Sequence, residues 1–204
     1  MKILIACEIS GVVRDAFRLK GHDAWSCDIL PCDTDEKYHY QCDVLDIINK
    51  GWDMMIAFPP CTYLALSGNR WFSPKYVERY PNRQRDREDA VKFFMKLANA
   101  PIEKICIENS QGIMNTRWRR PDQTIHPYHF GHPVQKRTCL WLKNLPPLMY
   151  ATVVEPEYTT FASGKRVSKW YMDILAMNPP LEERRKLRGK TFQGIGDAFA
   201  DQWG

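Results

Sequence analysis

The chain has 204 residues, 44% hydrophobic and 26% charged, enough for a globular protein to bury a core without disulfide staples. Its net charge of +5 mildly favours polyanionic partners but singles out none. Seven scattered cysteines do not make a secreted disulfide framework, "MKILIACEIS" is too short an apolar run for a signal peptide, and no stretch approaches the roughly 20 apolar residues of a membrane span; a cytoplasmic protein with no membrane partner is expected.

In chain order, "KILIAC" is a β-branched run that predicts a buried strand. "GVVRDAFRLKG" predicts a helix, with Val12, Val13, Ala16, Phe17 and Leu19 on one face and Gly21 as its stop. "HDAWSCDI" predicts a second strand ending at Asp28, "DVLDIINKG" a short helix, and "WDMMIAF" another strand. "REDAVKFFMKLANA" predicts an amphipathic helix over 87–100. "IEKICIEN" is a further strand ending in Glu108 and Asn109, and "RTCLWL" one more. The alternation of strands and helices predicts an α/β fold with a doubly wound, mostly parallel sheet, in one domain over 1–204.

Glu8, Asp28, Cys61 and Glu108 each follow a strand. Open α/β sheets bind ligands at the carboxyl ends of their strands, so these four are expected to converge on one cleft. Each residue also has a plainer reading. The single glycine of "CEISGVV" suits an ordinary strand-to-helix turn as well as a nucleotide loop. Asp28 is placed to accept both hydroxyls of a ribose. Asp43 suits either an adenine amino group or the cap of the helix after it.

In "MIAFPPCTYL", Pro59 and Pro60 end a strand, and Cys61 is either a small buried hydrophobe or a nucleophile aimed by stiff backbone. Glu108, costly to bury unpaired, should have a raised pKa and so suit proton donation to a ring nitrogen. Alternatively, Glu108 enters a helix and Asn109 belongs to a turn. The segment 62–87 interleaves Arg70, Lys75, Arg79, Arg83, Arg85 and Arg87 with Trp71, Phe72, Tyr76 and Tyr80. That pattern suits a lid over a nucleic-acid strand or nucleotide, or a solvated loop with aromatics tucked inward. His126, His129 and His132, like Cys27, Cys32 and Cys42, lack the standard zinc pairing, and no metal is expected.

Together, in linear order, these pieces resemble the cytosine-C5 methyltransferase family. Pro60–Cys61 is similar to its catalytic Pro-Cys, "IENS" to its Glu-Asn motif, "VQKRTCLWL" to its Gln-x-Arg-x-Arg strand, and "FQGIGDAFADQW" to the closing motif that packs beside the first loop. The resemblance implies a Rossmann-like fold with S-adenosylmethionine as cofactor. It assigns Glu8, Ser10 and Gly11 to the methionine end, Asp28 to the ribose and Asp43 to the adenine, with Pro60 and Gly196 also at the cofactor. It implies that Cys61 adds to C6 of a cytosine, that Glu108 protonates or hydrogen-bonds N3, and that Arg137 fixes the pyrimidine O2 or a phosphate. Asn109, Gln135 and Arg70 fall on the substrate side.

The chain also departs from the pattern. Val12 stands where the first loop usually has a second glycine, Cys139 where a second arginine follows Arg137, and Asp197 where Gly-Asn is common. The family's target-recognition domain is reduced to residues 149–191, room for a hairpin or small lobe. The expected substrate is cytosine in DNA, with a free cytidine or deoxycytidine nucleotide as the alternative. A non-catalytic nucleic-acid module is a third reading. An exocyclic-amine methyltransferase needs Asp or Asn before the two prolines, and here that residue is Phe58.

Overall fold

The computed structural model describes residues 1–204. Seven strands make the main sheet: β1 (Lys2–Ala6), β2 (Asp23–Asp28), β3 (His39–Gln41), β4 (Met54–Ala57), β5 (Lys104–Asn109), β6 (Gln123–Ile125) and β7 (Thr138–Lys143). Their order is β3-β2-β1-β4-β5-β7-β6. Strands β1 to β5 are parallel, and β7 runs antiparallel to both β5 and β6. The fold is therefore α/β with a mixed, mostly parallel sheet. No helix is long and apolar enough to cross a membrane.

The helices are α1 (Val12–Leu19), α2 (Arg83–Ala98) and the short α3 (Met114–Arg117). After β7 come a hairpin, β8 (Tyr158–Thr160) with β9 (Arg166–Ser168), and then α4 (Lys169–Ala176), α5 (Leu181–Gly189) and α6 (Gln193–Trp203). Alternation along each strand sends neighbours to opposite faces of the sheet. Leu4, Ala6, Met55, Ala57, Ile105 and Ile107 pack with Phe94 and Leu97 of α2. Ile3, Ile5, Met54, Ile56 and Cys106 pack with Val13 and Phe17 of α1 and with Ile195, Phe199 and Trp203 of α6. Both faces are covered, which explains why these strands read as continuous apolar runs.

Three expectations change. The helix expected over 43–51 is a single 3-10 turn, Val44–Asp46, in which the Asp43 carboxylate accepts from the Leu45 amide at 2.9 Å. Consecutive Ile47 and Ile48 are poor helix extenders and are buried instead. Helix α2 begins at Arg83 rather than Arg87. Strands β3 and β6, three residues each, had no periodic signature to betray them.

The segment 149–191 forms the hairpin and two helices. It docks on the loop after β6 through the bonds Gly131 N–H to Thr152 O (2.7 Å), Val154 N–H to Tyr128 O (2.9 Å) and Glu157 N–H to Pro133 O (2.9 Å). Lys186 of α5 pairs with Asp33 in the loop after β2. Ile174 is buried, whereas Val153, Phe161, Met177 and Leu181 are exposed, so this lobe has little core of its own.

Candidate functional site

The strand order reverses between β1 and β4, so a crevice opens at the carboxyl edge of the sheet there. The first loop leaves β1 through Cys7, which takes φ 59, a conformation rare for residues other than glycine. Glu8 then turns inward. One of its oxygens accepts from the Val13 amide at 2.8 Å and from Ser10 Oγ at 3.2 Å; the other accepts from the Arg14 amide at 3.3 Å. Burial pushes the Glu8 carboxyl up to about 7, against the pull of those donors. Gly11 has φ 71, and a Cβ there would collide with Thr34 and Arg14. Glu8, Ser10 and Gly11, expected to line the methionine end of a cofactor, are thus buried and engaged with α1 and its neighbours. They shape the loop, and half-buried Cys7 and Ile9 are its accessible members.

Arg14 is the residue that sequence reasoning passed over here. Its guanidinium is fully buried and donates to Ser26 Oγ (3.1 Å), Thr34 Oγ1 (2.9 Å) and Asp35 O (2.9 Å). It pins the loop after β2 against the loop after β1. An arginine in an amphipathic helix reads as solvent-facing, and the sequence held no signal that a loop would close over it.

Asp28 and Asp43 do come together. The Cys42 amide donates to the Asp28 carbonyl at 3.0 Å, which brings the two loops side by side. After burial, the charges of Asp28 and then Asp43 push the Cys7 thiol up to about 12. Asp28 is half-buried, and burial raises its own pKa. One oxygen of Asp28 accepts from the Leu30 amide at 2.9 Å. Asp43 has the cap role, and its carboxylate stays exposed. Beside Asp28 stand Ile29 and Leu30, 71% and 54% exposed. Two carboxylates next to bare apolar side chains fit the sugar and base of a nucleoside.

The loops carrying Cys61 and Glu108 are stitched together. Asn109 Nδ2 donates to Pro59 O at 2.7 Å, and Asn109 Oδ1 accepts from the Ser110 amide at 3.0 Å. Being 1% exposed, Asn109 is a tie between the ends of β4 and β5. Beyond it the backbones bridge again: Leu66 N–H to Gln111 O at 3.0 Å and Ile113 N–H to Leu64 O at 2.9 Å. A Cβ on Gly112 would overlap the Leu64 carbonyl oxygen. Gly112→Ala is therefore expected to cost about 1–3 kcal/mol and to lower the melting temperature by several degrees. A thermal melt unchanged from wild type would refute the close approach.

Within this frame Pro60 and Cys61 are exposed, and the Cys61 carbonyl accepts from the Leu64 and Ala65 amides. Glu108 is half-buried at the end of β5, in no ion pair. Burial raises its pKa; the Lys136 ammonium and the Thr138 hydroxyl act in the opposite sense. The register explains those neighbours. Glu108 lies opposite Leu140, so Thr138 shares its face of the sheet, and Lys136 lies just ahead of that strand. Arg137, just ahead of β7, donates from its guanidinium to Gln111 Oε1 at 2.6 Å. Lys136 is the cation acting on Glu108, which the resemblance did not supply. Gln135 and Arg137 are exposed.

Arg70 is exposed, its guanidinium 4.2 Å from the Trp71 ring centre. Two other arginines of that segment point inward, Arg83 with its Nε buried and Arg87 with its whole side chain. Arg87 is buried, donates to Tyr63 O (3.1 Å) and Asn69 Oδ1 (2.7 Å), and stacks on Phe72. The segment is therefore folded on an internal arginine–aromatic cluster. At the far end of the chain, Gly196 packs on Val12, where a Cβ would sit 3.1 Å from Val12 Cγ1, so α6 lies beside the first loop. Neither a scan of family models nor a search among curated proteins finds a match to this chain.

Proposed function

We propose that the chain is an S-adenosylmethionine-dependent cytosine-C5 methyltransferase acting on DNA. The observation that carries this reading is the double stitch, Asn109 on Pro59 and Gly112 under Leu64, which fixes Cys61 and Glu108 at neighbouring strand ends. Glu108 stands opposite Leu140 on the α6 side of the sheet, and Cys61 lies exposed in the loop beyond β4. The mixed sheet is compatible with the Rossmann-like methyltransferase fold.

When bound, the cofactor supplies an electrophilic methyl group; Asp28, Asp43 and the exposed Ile29 would hold its nucleoside end. The Cys61 thiolate adds to cytosine C6, and the C5–C6 electron pair moves to C5 as Glu108 gives its proton to N3. Carbon 5 is then a nucleophile. Once it carries the methyl, transfer of the C5 proton to water re-forms the double bond, expels Cys61 as thiolate and returns the N3 proton to Glu108. Lys136 would hold the ring oxygen or offset charge beside Glu108. A target within a duplex must leave the base stack to reach Cys61.

A second reading keeps this chemistry and takes a free deoxycytidine nucleotide as substrate. The slight core of the 149–191 lobe favours it, because reading bases in a groove takes several side chains on a rigid element. Labelled cofactor offered with single-stranded DNA, duplex DNA and dCMP separates the two. Methyl transfer to DNA is expected; transfer to dCMP alone would establish the second reading, and transfer to none would refute both.

A further inference from the structure

Between the Cys61 loop and the start of α2 lies an open surface recess, a cavity of about 220 Å³ facing solvent, lined by Tyr63, Arg79, Tyr80, Pro81, Asn82, Arg83 and Asp86. Its polar groups lack partners. Arg83 sits over the rings of Phe72 (4.7 Å), Tyr63 (5.3 Å) and Tyr80 (5.7 Å), which hold its guanidinium in place. Its buried Nε has no acceptor. Neither Arg79 nor Arg83 forms an ion pair, with Asp86 or any other acid. The Asn82 side chain stands at the N-cap position of a 16-residue helix yet caps nothing. The amides of Gln84 and Arg85, in the first turn, find no backbone acceptor.

Two guanidinium groups and two phenol hydroxyls around one space are donors in search of a multi-oxygen anion. We infer that this cavity binds one phosphate group of the substrate, two residues along the chain from Cys61. The inference takes its substrate from the proposed methyltransferase reading, but its anion site stands on the cavity alone. Asp86 opposes the anion and sets its affinity lower than the arginines alone would. The phosphate belongs either to a nucleotide monoester or to the backbone of a strand.

Calorimetric titration of the full chain with inorganic phosphate tests it, with thermal melts confirming that each variant folds. Wild type should bind; Arg83→Gln and the more exposed Arg79→Gln should each weaken binding roughly tenfold. Asp86→Asn should strengthen it, a direction no mere structural role predicts. Displacement by dCMP identifies a monoester, displacement by a short oligonucleotide a backbone diester, and deoxycytidine should displace nothing. The inference fails if wild type binds no phosphate, if both arginine variants bind it as wild type does, or if neither dCMP nor oligonucleotide displaces it. Phosphate displaced by nucleotide with no methyl transferred would keep the subsite and overturn the methyltransferase reading.

Discussion

Cys61→Ala is expected to bring methyl transfer to cytosine down to background while leaving the fold as it is. The side chain is exposed, and the amides of Leu64 and Ala65 bond to its backbone carbonyl, which the substitution keeps. Truncation at such a surface position changes stability by about 0.5 kcal/mol or less. Chemically, the loss is complete, because without the sulfur at C6 nothing converts C5 into a nucleophile. Transfer of labelled methyl and a thermal melt, measured on the same preparation, check both halves. A variant that keeps its activity would remove the covalent step.

Glu108→Gln should reduce the rate by roughly 10²–10⁴-fold, the usual worth of a positioned general acid. The pH profile makes the prediction sharper. Burial raises the Glu108 pKa, so the carboxyl stays protonated to higher pH than an ordinary glutamate, and activity falls as pH rises through that raised value. Lys136 pulls the pKa down, so Lys136→Met should move the alkaline limb of kcat/KM to higher pH. The Gln variant should lose that limb altogether. A limb that stays in place in both variants would mean that another group titrates.

Much of the sheet was legible because β1, β4 and most of β5 are covered on both faces and so appear as apolar runs. Cys61 and Glu108 were legible for a related reason, as polar residues directly after such runs. What the sequence withheld is pairing. The register of Glu108 with Leu140 puts Thr138 on the Glu108 face, and a one-residue slip would send it to the other. Asn109 and Gly112 likewise became ties only once two loops distant in sequence met. Glu8 looked like a ligand-facing acid, but an acid placed just before a helix also satisfies that helix's free amides, and here the helix takes both of its oxygens. The lobe at 149–191 was legible only as a length.

The most direct measurement of whether Cys61 and Glu108 act on one base uses an oligonucleotide carrying 5-fluorocytosine. Fluorine cannot leave C5 as a cation, so once C5 is methylated the Cys61 bond has no route to break. Mass spectrometry of the chain incubated with this strand and the cofactor should show a stable adduct mapped to Cys61, much slower to form in Glu108→Gln and absent in Cys61→Ala. An adduct that persists in Cys61→Ala, or forms at the wild-type rate without the Glu108 carboxyl, would contradict the account.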